Sequence, residues 1–251
     1  NSNLIDEISK TKKVNSKPFF SISNKIVGES YKNKINKIQK FMLKNKSDYI
    51  FITAPENIAW ILNIRGHDNP NSPIPNCHLI LDKQKTIYII VERKKVKYLI
   101  KERKIKKIKI IEPKKFQNFI KSLKGKKIQI DEKTCSAYHE NIINKKFKIL
   151  GKEDPIYILK SIKNKNEIQN MIDCHISDGV ALTKFLYWIK NINKKDITEF
   201  EAQTKLENFR KKNKNYLYPS FNTIAGAGKN GAIIHYRADK IGSKKIRKND
   251  I

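Results

Sequence analysis

YIFITAPENIAWIL, residues 49–62, sets a strand directly against a helix, and the fold class follows from it. Residues 49–53 are β-branched and aromatic, the composition of a buried strand. Pro55 is tolerated in a helix only at its first turn, and Glu56 suits the positive end of that turn. Residues 58–62 then complete a short helix. The same alternation continues downstream. Residues 77–81 and 86–91 flank a turn at 82–85 and predict a hairpin. Helices follow at 94–102, 114–123 and 136–143, and strands at 105–111, 127–130 and 147–150. Upstream, Ile35, Ile38, Phe41 and Met42 recur at helical spacing between 29 and 45. Alternating elements of this length predict an α/β domain on a mixed or mostly parallel sheet, spanning residues 28–155. Residues 1–27 are polar with two short apolar patches and read as a linker or the tail of a preceding domain.

A second region, 156–251, has a different texture. A long helix over 165–189 carries Ile168, Met171, Ile172, His175, Ile176, Leu182, Phe185, Leu186 and Ile189 on one broad face. On that face His175 is expected to be packed in a core, and Gly179 costs about 1 kcal/mol relative to Ala. Thr198 is placed as an N-cap with Glu201 at the third helical position, the pattern of a capping box. Residues 221–225 and 232–236 read as two strands joined through Gly226, Gly228 and Gly231. A sheet begun this late is not completed by residue 251. The chain therefore reads as a piece of a longer polypeptide, with apolar surface of the 168–189 helix left exposed.

Charge narrows the function classes. Lys and Arg number 54 against 24 Asp and Glu, a formal +30. Only six of the 54 are arginine (Arg65, Arg93, Arg103, Arg210, Arg237, Arg247), leaving 48 lysines spread over the whole chain. Arg is the side chain that forks onto phosphates and guanine edges, so this is a solvated lysine-rich surface and no specific nucleic-acid partner is expected. Cys77, Cys135 and Cys174 are odd in number and far apart, which excludes a disulfide framework and fits a reducing, cytoplasmic compartment. No apolar run approaches about 18 residues, and residues 1–20 lack a hydrophobic signal core, so no membrane association is expected.

Two stretches carry candidate chemistry. SFNTIAGAGKNGAIIHY, residues 220–236, gathers glycines that let backbone turn sharply or approach a ligand, and ends on His235. His235 stands open as a proton-exchanging or metal-binding site residue, or as a satisfied core histidine. NIRGHDNPNSPIP, residues 63–75, brings Arg65, His67 and Asp68 into one polar loop. These three form either a recognition cluster for a carboxylate or peptide terminus, or a solvent loop held in shape by an Arg65–Asp68 pair. His67 and His78 lack the neighbouring carboxylates of a metal site, and His139 is placed on a helix surface. Walker, Rossmann, HExxH and GxSxG signatures are all missing from the sequence.

Four stretches in order give a family resemblance. ENIAWILNIRGHDNPNSPI resembles a "WLLNLRG" segment, and ILKSIKNKNEIQNMIDCHISDGVALTKFLYWI resembles an entry helix of the form K-x-x-E…HxxDGxA…FxxWL. DITEFEAQTKLENFR resembles a "TE…L..FR" helix, and SFNTIAGAGKNGAIIHY a "SFxTI…G.NGAIxHY" motif. The chain is similar, over about residues 28–251, to the long three-domain Xaa-Pro aminopeptidases (aminopeptidase P) of the prolidase/creatinase superfamily.

The resemblance implies a creatinase N-terminal-like domain followed by the incomplete start of a pita-bread catalytic domain. It implies hydrolysis of the bond before a second-position proline by two divalent metals, typically manganese, in a cytoplasmic homodimer. His235 would contact substrate and help move a proton, and Arg65 would shape the approach to the active site. The family's metal-binding aspartates, histidine and glutamates match no residue here. Asp250 matches only a turn before the first of them, so no metal ligand is assigned and the 251-residue chain is expected to be inactive. Prolidase or creatinase-type enzymes, and a non-catalytic pita-bread binding module, are the alternatives.

Overall fold

The computed structural model describes residues 17–102, 105, 108–192 and 197–247. The chain divides into two compact units, Asn1–Glu167 and Ile168–Ile251.

The first unit opens with β1 (Phe20–Ser21), α1 (Asn24–Val27), α2 (Tyr31–Lys44), β2 (Tyr49–Ile52), α3 (Pro55–Leu62) and β3 (Ile64–Arg65). The hairpin β4 (His78–Asp82) and β5 (Ile87–Ile90) follows, then α4 (Arg93–Lys101), β6 (Ile108–Ile111) and α5 (Phe116–Ser122). The unit closes with β7 (Lys127–Ile130), α6 (Ala137–Asn144), β8 (Lys148–Gly151) and α7 (Ile156–Ser161). Six strands form one sheet in the order β6-β5-β4-β2-β7-β8. Only β4 runs antiparallel to its neighbours, so the sheet is mixed, as the alternation predicts.

Side chains along a strand alternate between faces, and here both faces are covered. Ile50, Ile52, Leu79, Leu81, Ile87 and Ile89 pack with Ile35, Ile38 and Met42 of α2 and Ile58 and Ile61 of α3. Tyr49, Phe51, Ile80, Tyr88, Ile90 and Ile128 pack instead with Phe116 and Ile120 of α5 and Ile143 of α6. Burial on both sides is why YIFI and IYII read as unbroken apolar runs. Residues 17–27 join the same body. Phe19 is fully buried, and β1 pairs with β3.

Lys34, on α2, is buried with 1% of its surface exposed. Its ammonium donates to Asn63 Oδ1 at 2.8 Å and to the Trp60 carbonyl at 3.0 Å, and lies 4.0 Å from the Trp60 ring centre. Burial pulls its pKa from the ordinary 10.5 down to about 8, against the opposing pull of Glu167 and Glu29. Above about pH 8 the folded chain has released this proton while the unfolded chain still holds it. This group's contribution to stability therefore rises with pH up to the unfolded value. The expected result is that the stability of wild type relative to Lys34→Met grows between pH 8 and about pH 10 in denaturant titrations. A difference that stays flat or shrinks would refute it.

The long helix α8 (Lys165–Asn191) starts in the last residues of the first unit and continues into the second, where α9 (Glu199–Arg210) follows β9 (Ile197–Thr198). Thr198 and Glu201 form the complete capping box that their spacing predicts. Arg210 clasps Asp178 with two bonds, at 2.6 and 3.1 Å. On α8, Ile168, Met171, Ile172, Ile176 and Leu186 are 47–62% exposed. His175 is exposed with them, contrary to the core placement, because the described residues of this unit supply nothing to cover that face. Gly179 has open space where a Cβ would stand, so no close helix contact requires it.

The two strands expected at 221–225 and 232–236 do not form. Gly228–Ala232 is a 3-10 turn and its flanks are irregular. A strand persists by pairing, and the only ladder among the described residues of this unit joins β9 to β10 (Lys245–Ile246).

Candidate functional site

The segment 220–247 is organised by a carboxylate the sequence reading passed over. Glu199 is the first residue of α9 and is fully buried. Its two oxygens accept from the Ala227 N–H at 2.6 Å, the Tyr236 hydroxyl at 2.7 Å and the Lys244 N–H at 3.1 Å. Asn230 Nδ2 adds contacts at 3.1 and 3.3 Å, and donates to the Tyr236 hydroxyl at 3.0 Å. Burial pushes the Glu199 pKa up, but donation from Tyr236, Ala227, Asn230 and Lys244 outweighs it and leaves the group below the ordinary carboxylate value. Glu199 is therefore an anion at neutral pH. The glycines serve this packing. A Cβ on Gly226 would stand 2.9 Å from the Asn230 backbone, and Gly228 has φ +53°.

His235 stands directly before Tyr236 in this wrap. It takes φ +56°, the left-handed region that non-glycine residues enter at a cost. The Tyr236 N–H to Ile233 carbonyl bond, 3.2 Å, closes the turn. The imidazole is exposed and makes no hydrogen bond with any described residue. The described residues therefore do not pack it as a core histidine. What remains is an accessible ring able to donate, accept or exchange a proton.

Arg65, His67 and Asp68 do not converge. Asp68, 1% exposed at its side chain, pairs with Lys95 at 2.7 Å and accepts from the Asn76 N–H at 2.7 Å. Arg65 donates to the Ala59 carbonyl of α3 at 3.1 Å and to the Ile64 carbonyl of β3 at 2.9 Å. Burial lowers the Arg65 pKa, with Glu167 opposing. His67 stacks on Phe20 with ring centres 5.2 Å apart. The Arg65–Asp68 pair of the solvent-loop alternative gives way to Asp68–Lys95. Lys95 comes from α4, which no local reading of residues 63–75 could supply.

A cavity of about 420 Å³ opens beside Thr53, His78, Val91, Lys95, Pro113 and His139, at the carboxyl ends of β2, β5 and β6. The His78 and His139 rings meet edge to face with centres 4.7 Å apart. Burial, then the neighbouring His139, brings the His78 pKa down to about 4, and burial lowers that of His139. Both rings are neutral at pH 7. His139 is not on the outer helix surface, as expected, but turns inward against Phe116 and Phe51. Its Nδ1 lies 2.9 Å from the N-cap hydroxyl of Ser136, which holds the ring on that side.

Among the described residues, no group of three or more His, Cys, Asp or Glu could hold a metal ion. The described side chains therefore do not fit a manganese pair. Asp250 lies outside the described residues. Among the described residues, no helix is long and apolar enough to cross a membrane.

Comparison with known proteins agrees with this two-part layout. Residues 10–167 match the creatinase/prolidase N-terminal domain family, and residues 169–251 match metallopeptidase family M24. The chain is 32% identical to Xaa-Pro aminopeptidase 1 of Dictyostelium discoideum over 239 residues, which is 91% of this chain and 37% of that protein. It thus spans little more than a third of that relative's length. Its fold is similar to a Caenorhabditis elegans X-prolyl aminopeptidase, described as a cytosolic enzyme with a di-nuclear active site. The TM-score is 0.88 at 22% identity, over 99% of this chain and 42% of that one. Prolidase from Pyrococcus furiosus gives a TM-score of 0.58 at 27% identity, over 84% of this chain and 58% of that one.

Proposed function

We propose, on the footing that this chain belongs to the creatinase/prolidase N-terminal domain family and continues into metallopeptidase family M24, that it is part of an Xaa-Pro aminopeptidase. Such an enzyme removes the first residue of peptides whose second residue is proline. The observation that carries this reading is the 32% identity to an Xaa-Pro aminopeptidase across 91% of the chain. The exposed His235, presented at the end of GKNGAIIHY, is the residue in this chain that would touch substrate. Arg65, His67 and Asp68, each engaged by the first unit, would act by shaping that unit and not by binding peptide. Manganese as a di-metal centre, a homodimeric assembly and a cytoplasmic location belong to the same proposal, for the full-length protein. A dipeptide-cleaving prolidase is the second reading, favoured by the likeness to the Pyrococcus enzyme at 27% identity.

Release of the N-terminal residue from Xaa-Pro peptides is the test, with and without added Mn²⁺. The full-length protein is expected to cleave tripeptides and longer substrates and to lose activity on chelation. The 251-residue chain with Mn²⁺ is expected to give no release above background. Cleavage confined to Xaa-Pro dipeptides would move the assignment to prolidase. A full-length protein inert on both would leave a binding module, and turnover by the 251-residue chain would overturn the division of labour proposed here.

A further inference from the structure

We propose that Glu199 is a positioning residue, the buried anion that fixes His235 in its left-handed conformation, and that Asn230 and Tyr236 serve as its arms and not as substrate contacts. The proposal rests on the reading of His235 as the substrate-facing residue. Three observations carry it. His235 occupies φ +56°, and such a conformation persists only where the surroundings over-determine it. The residue after it, Tyr236, is tied through its hydroxyl to Glu199 at 2.7 Å. The same carboxylate collects donors from both ends of the segment, the Ala227 N–H at 2.6 Å before the turn and the Lys244 N–H at 3.1 Å after it.

Two reciprocal bonds close the frame. The Glu199 N–H donates to the Lys244 carbonyl at 3.0 Å, and the Lys244 ammonium donates to the Ala227 carbonyl at 3.0 Å. The Asn230 amide bridges the Tyr236 hydroxyl and the carboxylate, so both polar side chains of the N-G-A-I-I-H-Y run that flank His235 are committed inward. The donors surrounding Glu199 are all N–H or O–H groups, so an ionised carboxylate matches them and an amide does not. Glu199→Gln would keep the volume but turn an NH₂ toward one or more of these donors.

A double-mutant cycle in the full-length protein tests this, with kcat, KM and melting temperature measured on an Xaa-Pro tripeptide for each variant. Glu199→Gln is expected to lower kcat about 10-fold or more with KM changed less than about 3-fold, and Tyr236→Phe to lower it by a smaller factor. In a His235→Ala background, Glu199→Gln should lower kcat no further, because its effect passes through His235. Losses that multiply in the double variant, or a fall that follows the melting temperature alone, would overturn the positioning role. Should Glu199→Gln fail to fold, the Tyr236→Phe and His235→Ala pair supplies the same cycle. If His235→Ala leaves kcat unchanged, it is the reading of His235 that fails. In that case the positioning role falls with it, although the geometry of the frame stands.

Discussion

Replacing His235 by alanine in the full-length protein is expected to lower kcat on an Xaa-Pro tripeptide by about 100-fold, the lower end of what a positioned proton-transferring side chain contributes. A left-handed histidine is a strained residue, and alanine tolerates φ +56° no better, so the substitution gains nothing in folding. The ring meanwhile contributes nothing to packing. It is exposed and bonded to no described residue, so its removal should move the melting temperature little. Large kinetic and small thermal effects together are the signature of a residue kept for chemistry. His235→Asn sharpens the test, because asparagine enters the left-handed region more readily than most side chains and still offers an N–H donor. It should match or exceed wild type in stability while losing most of the proton-transfer contribution. A variant that retains full kcat would show that the ring is a bystander. One that loses activity only in proportion to a fallen melting temperature would reassign the segment to structure.

What the sequence disclosed, and what it withheld, divides along the range of the interactions. The six-stranded sheet was readable because each strand is buried on both faces and each helix carries its own stop and start chemistry. Pro55 opens α3, Ser136 caps α6, and Thr198 pairs with Glu201 at the start of α9. These are contacts within four residues. The partners of Asp68 and Glu199 were not readable because they lie far along the chain, 27 residues away for Lys95 and 28 to 45 for Ala227 and Lys244. Thr198–Glu199 looks like any helix start. The capping-box spacing marks Glu201 as the cap, but nothing local marks Glu199 as the buried carboxylate. The strands expected around the glycines failed for a related reason. Residues 221–225 and 232–236 have strand-like composition, but a ladder needs a neighbour, and among the described residues no strand pairs with either. His175 reads as core only if something covers its helix face.

Asp68→Ala is expected to destabilise the first unit by roughly 3–5 kcal/mol, the cost of leaving a buried charge without its partner. Asp68 and Lys95 are 1% and 8% exposed at their side chains and 2.7 Å apart, so solvent does little to screen either charge. The lost carboxylate also removes the bond from the exposed Asn76 N–H to the second Asp68 oxygen, which ties the strand entry before His78. After the change, Lys95 keeps the Phe19 ring, with its ammonium 5.7 Å from the centre, and the more distant charge of the exposed Glu92, both weak substitutes for the buried anion. For a unit of this size each kcal/mol moves the midpoint by about 2–4 °C, so a shift on the order of 10 °C is expected in thermal unfolding. Removing both charges, as Asp68→Leu with Lys95→Met, should cost clearly less than Asp68→Ala alone, because no charge is left unpaired. That ordering separates a buried pair from a surface one. If Asp68→Ala instead costs under about 1 kcal/mol, the range of exposed pairs, the carboxylate is free to turn outward. The loop from Asn63 to Pro75 would then recover its first reading, with Arg65, His67 and Asp68 available to a peptide terminus.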